Sequence, residues 1–562
     1  MRRIDYLAVT ILLLFAAGLR IAGIDYGWLE PEYFPSYAPY GMAHEQLPVN
    51  PDSFHNVAIP VEMSLKRRLN PEFFNYPSLI INSNFLLYQL TGATRGLSLE
   101  DRAGQTLRNY AAFPLYVFSR IYSVLGGLVM VACAYATARI IAGGYAALCA
   151  GLLVACSYSL VVHAHYVKPS VPATALMMLA MWACAASLYS TGNRRTERMY
   201  ILAGIAAGLA ASTFYNGAAI ALIVAPAGLV LLYRYRTRTM LLAALAGWLA
   251  MPLFFFLASP YILRDFGHFW HDLSRIVEQY KAPGQVHNFF LVDQWTGLRY
   301  LLTYTALYAL GIPAVLLMAL STYAAWAQRP TTRHLQQNSI LLVVALLVLM
   351  VLAYALVVLR TVRPGHSEHQ LIQILPFMAL LAAIGAGWLV ERIPLPPRLL
   401  MPGLLLLLIL QPLTLSVQAA KMFSQPDTRQ IMLRWIHNNI PSGSRFFVNG
   451  SYNVPLDSAI YPNVQHFVGY AEDLPSGDDF DYLIISDARA FDIFRSEWIV
   501  PPAVIEEQRA YLQALDDRYS RLAQIPRPPW TGAQAMMNMA AYYHNPGLIL
   551  YCLNPGSCEV AP

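Results

Sequence analysis

Charged side chains are scarce in this sequence. Asp, Glu, Lys and Arg make up 12% of its 562 residues, where an ordinary soluble domain carries about 25%. With 57% hydrophobic residues and a mean hydropathy of +0.43, this shortage excludes a soluble globular chain and implies a membrane protein. Cysteine is also sparse, with six in all. Cys133, Cys149, Cys156 and Cys184 lie in apolar runs and read as packing residues. Cys552 and Cys558 lie in a polar tail, where they pair if the tail is exported and remain thiols if it is not. No spacing of Cys and His suits a metal site. The spans show no internal repeat and few charges within them, which argues against a transporter or flippase. The formal net charge of +6 is no nucleic-acid signal, because much of the excess is Arg in short loops between apolar runs.

What the chain has in quantity is apolar runs of membrane-crossing length, about 20 residues each. They fall at 5–24, 111–138, 144–162, 171–190, 200–213, 216–233, 239–258, 298–325, 338–359, 370–390 and 399–418, about eleven in number. The run at 200–213 is short. The first run follows Arg2 and Arg3 and lacks a convincing small-x-small cleavage site, so it reads as a retained helix rather than a signal peptide. With Arg2 and Arg3 inside, the loops after the even-numbered runs should be cytoplasmic and basic. They hold Arg139; Arg194, Arg195 and Arg198; Arg234, Arg236 and Arg238; Arg329 and Arg333; and Arg392 and Arg398. An odd count puts everything after residue 420 outside, together with the loops 25–110 and 259–297.

Polar clusters gather on that outer side. VNPDSFHNVAIPVEMSLKRRLNPEFFNYPSL (49–79) contains Asp52. Residues 53–69 and 77–90 are expected to form amphipathic helices of the kind that lie beside lipid head groups. HAHYVKPS (163–170) is a tight turn, and RTVRPGHSEHQ (360–370) concentrates Arg363, His366, Glu368 and His369. The loop 259–297 has helical spacing through Phe266, Phe269, Leu273 and Ile276, with Asp265, His268 and Asp272 on its expected solvated face. Glu30 and Glu32 are alternative acids in a Pro- and Tyr-rich turn. The tail reads as a small α/β domain over 420–562, with helices at 427–439 and 505–523 and strands at 445–449, 481–486 and 547–553. Asn449-Gly-Ser is a glycosylation sequon that chance explains better than use.

These residues resemble the integral-membrane glycosyltransferases of the GT-C fold, in the branch of protein O-mannosyltransferases and lipid A aminoarabinose transferases. The likeness rests on Gly18-Leu-Arg-Ile-Ala-Gly-Ile-Asp-Tyr-Gly27, Asn50-Pro-Asp-Ser53, Leu69-Asn-Pro-Glu-Phe-Phe-Asn-Tyr-Pro-Ser-Leu79, Arg120, His163-Ala-His-Tyr166 and Ser259-Pro-Tyr261. In the tail it rests on Asp427-Thr-Arg429 and Asn545-Pro-Gly-Leu-Ile-Leu-Tyr551. Three positions depart from the family pattern. Ser53 stands in place of the second acid, Lys168-Pro-Ser170 stands where an Asp often follows the turn, and His369-Gln-Leu-Ile-Gln373 replaces Arg-Tyr-Leu-x-Pro.

The resemblance implies a polytopic GT-C-like helical domain over 1–419 and an extracytoplasmic α/β domain over 420–562. It implies an inverting transferase of the cytoplasmic membrane, moving a hexosyl or pentosyl group from a polyprenyl-phosphate donor to a glycan, lipid or protein acceptor. Asp52 would be the catalytic base. His163, His165, Lys168, Arg363, His366, Glu368 and His369 would bind substrate, the cations facing the leaving phosphate. Asp52 is also suited to a helix N-terminus, Lys168 to snorkelling, and Arg363 with His366 to head-group anchoring or pairing with Glu368. A divalent metal is left open, one carboxylate being thin support for it. The alternative, motivated by Ser53 and Ser170, is a non-catalytic relative that serves as accessory or scaffold subunit in an envelope assembly.

Overall fold

The computed structural model describes residues 3–27, 51–95, 113–281, 301–327, 339–361, 371–449, 453–456, 460–467, 475, 477–486, 502–526, 547–556 and 558. The chain divides into two compact units. One comprises Met1–Ile21, Arg68–Leu87 and Arg120–Ala420; the other comprises Ala22–Arg67, Tyr88–Ser119 and Lys421–Pro562.

The described helices run in the order α1 (Arg3–Ile21), α2 (Pro51–Leu65), α3 (Leu79–Thr91), α4 (Phe113–Cys156), α5 (Tyr158–Ala164), α6 (Ser170–Leu188), α7 (Arg194–Thr213), α8 (Ala221–Tyr235) and α9 (Arg238–Ala258). They continue with the single turn α10 (Tyr261–Arg264), α11 (Phe266–Lys281), α12 (Ile312–Ala327), α13 (Ser339–Thr361), α14 (Leu375–Arg392), α15 (Pro397–Phe423), α16 (Thr428–Asn439) and α17 (Pro502–Arg518). Among the described residues seven helices are long and apolar enough to cross a membrane, or eight if the bent pair Leu301–Ala309 and Ile312–Ala325 is one span. The chain is a multi-pass α-helical membrane protein.

The reasons lie in local chemistry. The runs at 111–138 and 144–162 are joined in α4, which leaves helical geometry at Ala142 and Gly143. Gly143 has φ +85°, a conformation that a side chain would strain. The short run at 200–213 extends back to Arg194 because Asn193 caps it, its side chain accepting from the N–H groups of Arg195 and Thr196. Within the first unit α7 and α9 touch backbone to backbone. A Cβ on Gly204 would lie 2.0 Å from the Gly247 carbonyl oxygen, the close approach that small residues allow between membrane helices. Tyr200, fully buried, fills the space left by Gly228 and Gly247 and donates to Val224 O at 2.9 Å. The other side of α9 exposes Leu241, Leu245, Leu249, Leu253 and Leu257, an apolar face that suits lipid. Asp5 on α1 accepts from Arg139 Nε at 3.0 Å and Tyr135 OH at 3.1 Å, tying α1 to α4.

Two expected interfacial helices behave differently. α3 buries Ile80, Ile81, Asn84 and Tyr88 and exposes Leu86 and Leu90. α2 buries Ser53, Asn56, Val57, Ala58, Ile59, Val61 and Met63, while His55 and Glu62 stay half-buried on its other side. Its buried polar residues, Ser53 and Asn56, are small.

In the second unit a five-stranded sheet has the order β2-β1-β3-β5-β4. The strands are β1 (Phe446–Asn449), β2 (Val464–Phe467), β3 (Tyr482–Ser486), β4 (Ser520–Ile525) and β5 (Leu548–Cys552). β2, β1 and β3 are parallel, while β5 runs antiparallel to β3 and β4. Both faces are covered. Phe446, Val448, Tyr482 and Ile484 pack with Met432, Leu433 and Ile436 of α16, and Phe447, Leu483 and Ile485 pack with Leu515 of α17. That burial explains the unbroken apolar strands. The helix expected at 505–523 ends at Arg518, and the chain turns into β4. Cys552 and Cys558 form a disulfide. Asn449 of the sequon is fully buried and donates to Tyr511 OH at 3.0 Å, so it is no glycan acceptor in this fold.

Replacing Gly204 by Ala would force a carbon against a backbone oxygen that has nowhere to go. We expect a loss of about 2 kcal/mol, whereas Gly403→Ala, with nothing within 4 Å, should be neutral or mildly stabilising. Thermal melting of both variants in detergent checks the contrast.

A second expectation concerns acid. Arg521 Nε donates to Asp516 at 2.6 Å and Tyr551 OH donates at 2.8 Å. The bond from Arg521, ahead of that from Tyr551, holds the Asp516 carboxyl below its ordinary value. A depressed carboxyl adds stability above the unfolded value of about 3.9 and loses it as pH falls through the folded value. Asp516→Asn should therefore cost about 0.5 kcal/mol near neutrality. Melting curves at descending pH should show wild type and variant converging below about pH 4.

Candidate functional site

The turn between α5 and α6 is set by what happens one helix earlier. α4 stops at Cys156 and α5 starts at Tyr158, so backbone carbonyls lose their helical partners inside a bundle, where water cannot replace them. Arg20, fully buried, meets them. Its Nη1 donates to Ala16 O and Ala155 O, both at 3.1 Å, and its Nη2 donates to Val154 O at 3.0 Å. Ser416 Oγ donates to Cys156 O at 2.8 Å. The guanidinium fits because residue 127 is Gly; a Cβ there would lie 2.5 Å from Arg20 Nε. A cation at the C-terminal end of a helix also suits the helix dipole.

Beyond this clamp every residue of α5 is buried. His165 donates from Nδ1 to Val161 O at 2.9 Å, which fixes a proton on that nitrogen. His163 meets Tyr166 edge-on, with ring centroids 5.3 Å apart. Ser123 Oγ of α4 donates to Tyr166 O at 2.6 Å, and Lys168 Nζ lies 5.9 Å from the Tyr166 ring centroid. Lys168 is buried, as is Arg120, one turn before Ser123 on α4. Three of the expected substrate-binding residues, His163, His165 and Lys168, thus share one buried turn. Gly126 lets α6 approach α4 closely, a Cβ there falling 3.3 Å from Pro172.

A second constellation was misread from sequence. The stretch 68–78 lies along α11. Asn70 Nδ2 donates to Asp265 Oδ2 at 2.8 Å, and the Phe74 N–H donates to Asp272 Oδ2 at 2.8 Å. Arg275 Nη2 donates to Asn75 Oδ1 at 2.9 Å, and Tyr215 OH donates to Phe74 O at 2.9 Å. The Ser78 N–H donates to Ser259 Oγ at 2.9 Å, and Ser259 pairs with Ser212 at 2.7 Å. Asp272 is therefore not on a solvated face. It is buried, with His268 Nε2 at 3.8 Å from its carboxylate and His268 Nδ1 at 3.8 Å from that of Asp265. The heptad-like spacing of α11 located its apolar side but could not reveal a polar backbone strap docking on its rim.

Asp52 is the second residue of α2, inside its first turn; its side chain lies outside the described residues, as do Arg363, His366, Glu368 and His369. Gln373, where the resembling family has its late motif, is fully buried. It accepts from Tyr354 OH at 3.0 Å, which in turn accepts from Asn216 Nδ2 at 3.2 Å. Among the described residues no group of three or more His, Cys, Asp or Glu side chains converges as a metal site would require. Sequence reasoning passed over Arg20 as a residue with a task, although an ionisable residue in a span of this kind is itself a signal.

The dolichyl-phosphate-mannose-protein mannosyltransferase family model matches residues 89–271. The resemblance to GT-C glycosyltransferases is thereby carried by this segment. It takes in Arg120, the 163–170 turn and Ser259-Pro-Tyr261, and it leaves out Asp52 and the 363–369 cluster. Among solved structures the chain is similar to ArnT from Cupriavidus metallidurans bound to undecaprenyl phosphate, at 13% identity and TM-score 0.49, covering 99% of both chains. It is similar to the Archaeoglobus fulgidus oligosaccharyltransferase at 12% identity and TM-score 0.47, covering 97% of this chain and 88% of that one. Against the S. cerevisiae Pmt1-Pmt2 complex bound to its sugar donor the identity is 18% and the TM-score 0.35, over 48% of this chain and 34% of that one. No curated protein matches the chain.

Asp272→Ala should release the strap at Phe74. We expect a loss of about 1–3 kcal/mol, the cost of leaving buried polar groups unpaired, while Asp272→Asn keeps an acceptor oxygen and should retain at least half of that stability. Melting temperatures of the two variants, with protease sensitivity at residues 68–78, check this.

Proposed function

We propose that this chain is a membrane glycosyltransferase moving a sugar from a polyprenyl-phosphate donor to an acceptor on the outer face of the cytoplasmic membrane, with inversion. The observation that carries the reading is the mannosyltransferase match over residues 89–271, together with the ordered motifs on either side of it. In the reaction the acceptor oxygen attacks the anomeric carbon. The bond from that carbon to the phosphate oxygen breaks, and its electron pair leaves with the phosphate. Asp52 takes the acceptor proton. Lys168, Arg363, His366 and His165 offset the charge that grows on the departing phosphate, and His163, Glu368 and His369 bind substrate beside them.

Eleven crossings, with the tail after residue 420 outside, fit the basic loops. The Cys552–Cys558 disulfide supports an exported tail, because such bonds persist in oxidising compartments. The second reading, an accessory subunit without turnover, is favoured by two buried serines, Ser53 and Ser170, at positions where the resembling family carries acids.

One experiment separates the readings. Purified protein is supplied with polyprenyl-phosphate sugars and envelope acceptors, and transfer is followed by release of polyprenyl phosphate. Asp52→Asn should lower the rate by about 10²–10⁴, the usual contribution of a general base, while donor binding persists. Transfer at the wild-type rate in that variant would sink the assigned base. No turnover of any donor by wild-type protein, with stable co-purification in a larger assembly, would favour the accessory subunit.

A further inference from the structure

We propose that α11 lies in the membrane–water interface, with Phe266, Trp270 and Val277 docked on the lipid bilayer beside the end of α9. The sequence expectation of interfacial helices fell on 53–69 and 77–90 and passed over this one. α11 has three sides at 3.6 residues per turn, and two of them are accounted for. His268, Phe269 and Asp272 face the 68–78 strap. Phe74 meets His268 and Phe269 edge-on, with ring centroids 5.6 and 6.1 Å apart, and its N–H donates to Asp272. His271 and Glu278 are exposed on a second, polar side. The third side carries Phe266, Trp270 and Val277, spaced as one apolar stripe of a helix. Phe266 is 56% exposed and Trp270 59%. Their rings stack, with centroids 6.3 Å and planes 20° apart, so the pair presents one flat apolar surface. Paired exposed aromatics of this kind mark an interaction surface.

Continuity with α9 decides what covers the stripe. The outward side of that span, with Leu245, Leu249, Leu253 and Leu257, is apolar and exposed as a lipid-facing side must be. The same exposure carries on past the turn at Ser259 and Pro260, through Leu263 to Phe266 and Trp270. Leu69 of the strap is exposed as well, and the next residue, Asn70, donates to Asp265 just ahead of α11. Tyr261 and Arg264 stand between the span and the helix, with the guanidinium 5.8 Å from the ring centroid. Tyr and Trp near the end of a span settle at head-group level, and Arg keeps its charge in water while its stem lies on apolar surface. A helix with an apolar stripe on one side and polar groups on the opposite side lies in the interface plane. Lipid on one side and the strap on the next give α11 a second task, which is to hold residues 68–78 at head-group depth.

The test uses full-length protein in phosphatidylcholine nanodiscs. Trp270→Cys and His271→Cys are each labelled with a small fluorophore; the four native free thiols are buried and the other two cysteines are paired. Quenching is measured with phosphatidylcholine brominated high on its chains and, separately, with aqueous iodide. For a stripe in the interface, brominated lipid should quench the label at 270 about 3-fold more than the label at 271, and iodide should favour 271 by a similar factor. Both variants should melt in detergent at the wild-type temperature, because neither side chain holds a hydrogen bond among the described residues. Equal quenching by iodide at the two positions would overturn the proposal, since the stripe would then face water. Protection of position 270 from both quenchers would also overturn it. Cross-linking of Trp270→Cys between chains would in that case assign the stripe to a second copy, and its absence to a different protein. None of these results depends on turnover, so the transferase reading stands or falls separately in the transfer assay.

Discussion

The Arg20 guanidinium, buried among the carbonyl oxygens of Ala16, Val154 and Ala155, is the contact from which the first unit's candidate turn is built. A chain in a bilayer cannot leave backbone groups unpaired, so a helix break inside the bundle exists only where a side chain takes over from the helix. Here a charge takes over at two carbonyls and Ser416 at a third. With α4 stopped at that point, α5 is offset from it and the turn to α6 falls where His163, His165 and Lys168 are buried together. Removing the charge would leave the break, not merely a contact, without support. Gly127 is the counterpart of this arrangement, since any side chain there would occupy the space of the guanidinium.

Much of the motif pattern that suggested a family turns out to describe such supports. Gly23 has φ +75°, and a Cβ on it would lie 2.3 Å from the Phe423 backbone; Tyr26 packs its ring on Phe423, with centroids 4.8 Å apart. Asp427 caps α16 and binds Arg429 in two bonds, at 2.7 Å from Nε and 2.6 Å from Nη2. Ser259 and Asn70 fasten the 68–78 strap. Residues of this kind recur together because a backbone path needs them. They identify the path, and they say less about the reaction that takes place on it.

That division explains what could be read from the sequence. Helical runs were legible because apolar length is a local property: α6 and α9 begin and end within a residue or two of the runs at 171–190 and 239–258. The strands β1, β3 and β5 were legible from short apolar runs, whereas β2, Val-Gln-His-Phe, has too mixed a composition to announce itself. β4 was absorbed into the preceding helix, because Ser520–Ile525 continues its polar-apolar mixture without a Gly or Pro between. The partners of Asp272 and Arg20 are 198 and 135 residues away in sequence, and no periodicity carries information over that distance. For α2, the sequence showed a polar side but could not show that small polar residues such as Ser53 and Asn56 are packed.

The positions that depart from the family pattern are the informative ones for chemistry. Ser53 and Ser170 are both buried, and each puts a neutral group where the resembling family has an acid. Burying an unpaired charge costs far more than burying a hydroxyl or an amide, so such a replacement is easy to fold and hard to explain by stability alone.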